Sequence, residues 1–484
     1  MSRVSATSAV LTLAALLSGC TVGPQHPNTV ASLAPPVAFQ RLTPASGPAQ
    51  EVVPGEALRP DWWALFGSAK LDALVTQALA HSEDVAQAEA TLRQARETAR
   101  VTAGAALPQA DLNYQAERAK ISQELQSPLA DQFDTLYTLH TAQLTVSYPL
   151  DVFGLQRNRT RSARAQAEIA AERLSAARKT LVANLVTATI QYAALGRQIE
   201  ASRASIASNR QVLALLQRRQ QIGDIGQADV VAQQAANATG EGAVPALVRS
   251  QEHERALIAA YLGLAPGATL PELPAMNELA LPTRLPVSLP GALVAARPDV
   301  RAAAAQMRGA GADVGAAIAA RLPQIALSAQ GGGISPRLSD ILQPGNTFWT
   351  LIGGVTQPLF HGGQLKHQQR AAEAALDVAK SQYRAAVILA FADVDDALTG
   401  LRTDAEALDA ADRASRAAAL SLTFGQRQLA LGGIGTLALL NATATNAQAS
   451  ATLVQAQAAR LVDTVALFQA VGGGVQAQDQ PRRD

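Results

Sequence analysis

The chain has 484 residues and a formal net charge of +1, with 40 Lys and Arg against 39 Asp and Glu, so no overall field draws nucleic acid or acidic substrates. Charged residues make up 16% and aromatics 4%, against ~25% charged in an ordinary globular domain, and alanine recurs throughout; this suits long helices packed through small side chains. Beyond Leu17 no apolar run reaches the ~18 residues of a helical span, so entry into a membrane requires a β-barrel.

The N-terminus carries Arg3, an apolar run over Ala9–Leu17, and then the single cysteine of the chain, Cys20. That layout predicts a secretory signal peptide over residues 1–19. A lone Cys forms no internal disulfide and makes no structural zinc site. Leu17-Ser18-Gly19-Cys20 resembles the lipobox of bacterial lipoproteins, which implies acylation at Cys20; Thr21 rather than Asp after it implies sorting to the outer membrane. Residues 20–60 hold eight prolines from Pro24 to Pro60, a density that predicts a lipidated, extended tether without regular structure. Next, Trp62, Trp63 and Phe66 anchor a predicted helix running to about Val101, with Leu71, Leu74, Val75, Ala78 and Leu79 on one face.

An internal repeat organises the rest. "LPQADLNYQ" at 107–115 returns as "LPQIALSAQ" at 322–330, an offset of 215 residues. "VSYPLDVFGLQRN" at 146–158 returns as "VTQPLFHGGQLKH" at 355–367, and "RRQQIGDIGQADVV" at 218–231 as "RQLALGGIGTLALL" at 427–440, both at an offset of 209. Each unit opens with two alternating segments, 111–117 with 142–148 and 324–330 with 347–356, read as strands with one apolar and one polar face. Residues 119–137 and 331–346 are then loops. Proline-free runs follow at 155–221 and 362–431, read as helices too long for any compact domain, which must join a coiled-coil-like bundle. Glycine turns at Gly223/Gly226 and Gly432/Gly433/Gly435 end them, and antiparallel return helices at 227–262 and 436–470 complete two hairpins. Pro245 is expected to interrupt and kink the first return helix.

Four strands cannot close a barrel, and open strand edges in lipid leave backbone groups unsatisfied. A dimer supplies eight strands with a filled interior; a trimer supplies twelve around an aqueous lumen.

The lipobox, "DWWALFG", "LPQ" before each first strand, "PLDVFG" and "PLFHGG" after each second, "ARPDVRAAAAQMRGAGADVGAA", "FADVDDAL" and the closing "ALFQAVGGG" together resemble TolC-like outer-membrane efflux proteins of the NodT-type lipoprotein branch. The resemblance implies a mixed membrane α/β fold. It comprises a trimeric 12-stranded β-barrel, four strands per chain, continued by a long α-helical barrel, with a small mixed equatorial domain from 61–80, 263–300 and the C-terminal tail. Residues 61–270 then form the first efflux repeat, 271–474 the second, and 475–484 a polar tail. The implied function is the outer-membrane exit channel of a tripartite pump, passing small molecules such as drugs from a periplasmic adaptor (membrane fusion) protein and an inner-membrane pump. The implied partners are the homotrimer itself, those two proteins and outer-membrane lipid. The runner-up is a type I protein-secretion channel, and a less favoured reading is an adaptor lipoprotein, which carries one hairpin rather than two. The resemblance also implies a periplasmic gate at the hairpin turns. Leu437 falls at the leucine-ring position and Asn441 at the acidic-ring position, Leu429 replaces a tyrosine, and Arg219, Asp224 and Asp229 offer an ion-pair latch between hairpins.

Residue chemistry gives no catalytic, metal or cofactor assignment. The histidines, His26, His81, His140, His253, His361 and His367, lack ligand spacing, and Asp393, Asp395 and Asp396 lack the glycine and glutamate of a calcium loop. Arg157, Arg159, Arg161 and Arg164 follow the second strand of an exported chain. They read as a barrel–helix junction near lipid head groups, or as a solvated helix start, and not as a nucleic-acid patch.

Overall fold

In the computed structural model, which describes residues 50–56, 58–120, 136–265, 267–287 and 296–472, short strand pairs alternate with very long helices. Cys20, the signal segment and residues 475–484 lie outside the described residues. The chain divides into two units: one comprises Leu92–Ala170 and Ala303–Tyr383, the other the described residues up to Thr91, Ala171–Ala302 and from Arg384 onward.

The first unit is built on an antiparallel sheet of β2 (Gln109–Lys120), β3 (Leu136–Leu150), β5 (Gln324–Ser335) and β6 (Thr347–Thr356), in that order. Helix α2 (Glu83–Gly104) leads into β2 and α5 (Pro298–Ala319) into β5, while α3 (Leu155–Gln221) leaves β3 and α6 (Gln364–Ala430) leaves β6. The "LPQ" motif shows its purpose here. Gln109 Nε2 donates to Gly104 O at 2.9 Å and Leu107 O at 3.1 Å, and Gln324 Nε2 to Ala319 O at 3.1 Å and Leu322 O at 2.9 Å. Each glutamine thus satisfies carbonyls left open where a helix ends and a strand begins. At the opposite transition, Asp151 accepts from Gln156 N at 2.9 Å and Arg157 N at 2.8 Å, capping α3. Close helix packing follows from small residues: a Cβ on Gly309 would sit 3.1 Å from that of Ala165.

The strands outrun the predicted ones. Residues 119–120, 136–137 and 331–335 belong to strands rather than loops. Glycine runs weaken the alternation signal at 331–333, yet Gly333 is needed there, since a Cβ would meet Ile341 O of the folded-back loop.

In the second unit, a short 3₁₀ turn over Trp62–Phe66 precedes α1 (Ala69–His81), whose Leu71, Leu74, Val75 and Ala78 are buried. Trp62 and Phe66 pack on Phe468 with ring centroids 5.5 and 6.4 Å apart. The single helix expected through Val101 is two. Ser82 takes an extended conformation between α1 and α2, and the left-handed Gly263 packs so closely on His81 O that no side chain would fit. The tether expectation is also corrected at its end. Glu51–Pro54 forms β1, parallel to β4 (Arg284–Val287), because proline is tolerated at the end of an edge strand and Val52 gains burial. The return helices are α4 (Gln227–Tyr261) and α7 (Thr436–Ala470), each 35 residues, against 67 for α3 and α6. Helix α4 runs unbroken through Pro245. A proline removes one backbone bond at a cost of ~3 kcal/mol, which the packing of a helix this long absorbs.

Candidate channel wall and helical turns

The register of the sheet carries its chemistry. Asp111 lies opposite Thr145, Thr145 opposite Gln330 and Gln330 opposite Thr350, so one polar row crosses all four strands. Its neighbour is apolar: Ala110, Val146, Ala329 and Leu351. Since side chains alternate faces, the row of Leu112, Leu144, Gly331 and Trp349 shares the apolar face, while the polar face also carries Ile352 in the row of Gln109, Ser147 and Ser328 and Phe348 in that of Asn113 and Gln143; a one-residue slip in any pairing would exchange the faces. Leu112, Leu351 and Trp349 on the apolar face are exposed by 77, 69 and 81%. An apolar face left this open on a sheet with two free edges, β2 and β6, is what lipid and further strands would cover. No helix among the described residues is long and apolar enough to cross a membrane.

The two helical turns, in the second unit, share one geometry. Gly223 and Gly432 are left-handed at φ 75° and 72°, and Gly226 and Gly435 are the extended N-caps of the return helices. In the first turn Asp224 N donates to Arg219 O at 2.9 Å, and in the second Gly433 N donates to Gln428 O at 2.8 Å, the 6→1 bond of a glycine-terminated helix. Arg219 Nε meets Asp224 Oδ2 at 2.5 Å within its own turn, while Arg219 Nη1 reaches across to Leu429 O at 3.3 Å. The turn-to-turn link is therefore an arginine–carbonyl bond, and Asp229, half-buried in the first turn of α4, takes no part in it. Leu437 is 70% exposed and Asn441 is exposed, whereas Leu429 is buried in the seam. At the tips, Ile222 and Leu431 occupy equivalent positions and are 80 and 87% exposed.

A buried polar cluster in the same unit escaped the sequence. Gln50 Nε2 donates to Pro282 O and Thr464 Oγ1, both at 3.0 Å, and Gln50 Oε1 accepts from Arg460 Nε at 3.0 Å. Beside Arg460, burial and the Asp463 carboxylate push Asp404 up to about 6, with the Arg460 charge opposing; Asp463 is raised too, by burial and by Asp396. The signal available was polar residues at helical spacing, Asp396, Asp404, Arg460 and Asp463, on helices otherwise rich in alanine. Of the Asp393–Asp396 cluster, Asp393 pairs with Arg297 at 2.8 Å, and all three acids are exposed. The described residues hold no group of three or more His, Cys, Asp and Glu placed to bind a metal.

Known proteins share this arrangement. The family described as Outer membrane efflux protein matches residues 74–264 and 289–473. The pyoverdine export outer membrane protein OpmQ of Pseudomonas putida is 29% identical over 459 residues, covering 93% of this chain and 94% of its own. Nodulation protein T of Rhizobium leguminosarum bv. trifolii is 26% identical over 460 residues, with 94% of each chain covered. Among solved structures, the outer-membrane channel OprN superposes with a TM-score of 0.83 at 27% identity, over 94% of this chain and 99% of that one. With two matched stretches and a sheet patterned for lipid on one face and water on the other, the chain belongs to the outer membrane efflux protein family, a family of transport channels and not of enzymes.

Proposed function

We propose that three copies of this chain close one twelve-stranded barrel in the outer membrane, polar rows inward, and that the helical hairpins continue its lumen into the periplasm. The duct is the exit of a tripartite efflux system whose periplasmic adaptor and inner-membrane pump load it with small molecules. The observation that carries this is the register: the polar row Asp111, Thr145, Gln330 and Thr350 and the apolar row beside it each cross all four strands of a sheet with open edges, which a trimer closes with an aqueous interior. Exposed Ile222 and Leu431 at the turn tips support a protein partner there. The name of the Pseudomonas putida relative, which exports pyoverdine, supports a small-molecule cargo.

At the periplasmic mouth, Leu437 narrows the pore by steric and dewetting contact, with Asn441 uncharged one turn further on. Its exposure in the single chain supports a role outside the chain's own helix packing. Purified trimers in planar bilayers test both proposals. Boiling-sensitive trimers with single-channel steps are expected, Leu437→Ala raising conductance severalfold and Asn441→Ala barely changing it. Monomers without steps contradict the channel; an intact trimer whose conductance ignores Leu437→Ala puts the constriction elsewhere.

Acylation at Cys20 anchors the mature chain, which begins there. Several acyl chains at ~0.8 kcal/mol per buried CH₂ hold firmly. Cys20→Ser is expected to abolish fatty-acid labelling and weaken retention in the outer membrane while leaving a foldable chain. Persistent labelling contradicts the assignment.

A further inference from the structure

The end of the sheet from which the helices depart carries a charge pattern that folding alone does not explain. Helices α1, α2, α4 and α5 place an acid in their first turn, Asp72, Glu83 and Asp84, Asp229 and Asp299 respectively, as the helix dipole favours. Helices α3, α6 and α7 have none there, and α3 and α6 are the ones that leave the sheet. Helices α3 and α6 instead carry Arg157 and Arg161, and Lys366 and Arg370. These are equivalent positions of the two repeats, one helical turn apart on one face. All four are exposed. Segments 150–163 and 357–372 contain a single carboxylate, Asp151, and it is taken up in capping α3 and in holding Arg157 at 3.3 Å. Just ahead of α6, Leu359 and Phe360 stand 91 and 87% exposed. The order along the chain is thus apolar sheet face, exposed apolar pair, then cations.

From this we infer that the strand–helix junction is a binding surface for anionic phospholipid head groups of the periplasmic leaflet. Leu359 and Phe360 enter the acyl boundary, and the paired cations of α3 and α6 take the head-group phosphates. Charge complementarity favours this occupant, the cations following within a few residues the strands and the exposed Leu359 and Phe360, and the inference rests on the outer-membrane placement of the family. A cation near an anionic lipid surface gains what it loses to the helix dipole, and the repeat keeps the pair twice, although in the first copy Arg157 also bonds Asp151 and Val152 O and Arg161 bonds Asn158.

Spin-labelled lipids test this on the full-length trimer reconstituted in phosphatidylcholine vesicles. The motionally restricted fraction of phosphatidylglycerol label is expected to exceed that of phosphatidylcholine label by at least about twofold at low salt, and to fall towards parity as salt rises. The triple variant Arg161→Gln, Lys366→Gln, Arg370→Gln should lose the preference. The charge-keeping Arg161→Lys, Arg370→Lys variant should retain it, as should Arg118→Gln, Lys120→Gln at the other end of the sheet. An equal restricted fraction for both labels in the wild-type trimer overturns the inference while leaving the channel intact. So does a triple variant that changes ion selectivity with lipid preference unaltered, since that puts the cations in the lumen. Absence of any restricted lipid overturns membrane insertion itself, and the inference with it.

Discussion

The carboxyl pair Asp404 and Asp463 lies where three helical residues of opposite tendency meet. Burial disfavours both charges, Asp463 raises Asp404 further by its charge and by the hydrogen bond between them, and Arg460, 1% exposed and held by Gln50, supplies the opposing charge. Asp404 is raised from 3.8 to about 6, so the folded chain binds its proton more tightly than the unfolded chain does. Below 3.8 both states are protonated and the group is neutral for stability; as pH rises towards about 6 the folded state is penalised, and above that the penalty is complete. Solvent screening of a partly solvated pair limits it to roughly 1 kcal/mol. Asp404→Asn removes the charge and keeps the shape. Melting of the variant is expected to rise by a few degrees at about pH 8 and to match the wild type at about pH 4. A gain of equal size at both pH values contradicts an ionisation effect and indicates packing alone.

Elements with one dominant physical rule were legible from sequence. The long helices follow from proline-free runs with alanine-rich seams, and Leu155–Gln221 and Gln364–Ala430 lie within one or two residues of the expected ranges. Their return partners were equally plain, because Gly223 and Gly432 must terminate a helix where φ is positive. Strand cores were legible for the same reason: Leu112, Leu144, Leu327 and Leu351 sit on the alternation that a two-faced sheet demands. What was hidden depended on contacts distant in sequence. The break at Ser82 is set by Gly263, the strand Glu51–Pro54 by Arg284–Val287, and the extension of β5 through Gly331–Gly333 by a loop folding onto it. Pro245 misled in the opposite direction, since a local rule against proline is outweighed where 35 residues share one packed helix. At the turns, Arg219, Asp224 and Asp229 were legible as charges that could form an ion pair between hairpins, whereas Arg219 and Asp224 pair within one turn. The carbonyl of Leu429 as the partner across the turns was not legible, because backbone acceptors carry no sequence signature.

At the scale of the molecule, duplication and alternation together make a duct. Each repeat supplies two strands and one hairpin, and neither supplies a closed surface, so a wall exists only when copies join edge to edge. In the proposed barrel, water fills the side of the sheet marked by Asp111, Thr145, Gln330 and Thr350, and lipid covers the side marked by Ala110, Val146, Ala329 and Leu351. Single cysteines on adjacent residues of one strand pair read this directly. Trimers carrying Gln330→Cys, Thr350→Cys, Ala329→Cys or Leu351→Cys are placed in planar bilayers, and a charged, water-soluble methanethiosulfonate is added while current is recorded. Rapid modification with a stepwise change in current is expected at 330 and 350, and none at 329 and 351. Modification without that alternation, or current changes at 329 and 351 alone, would contradict it.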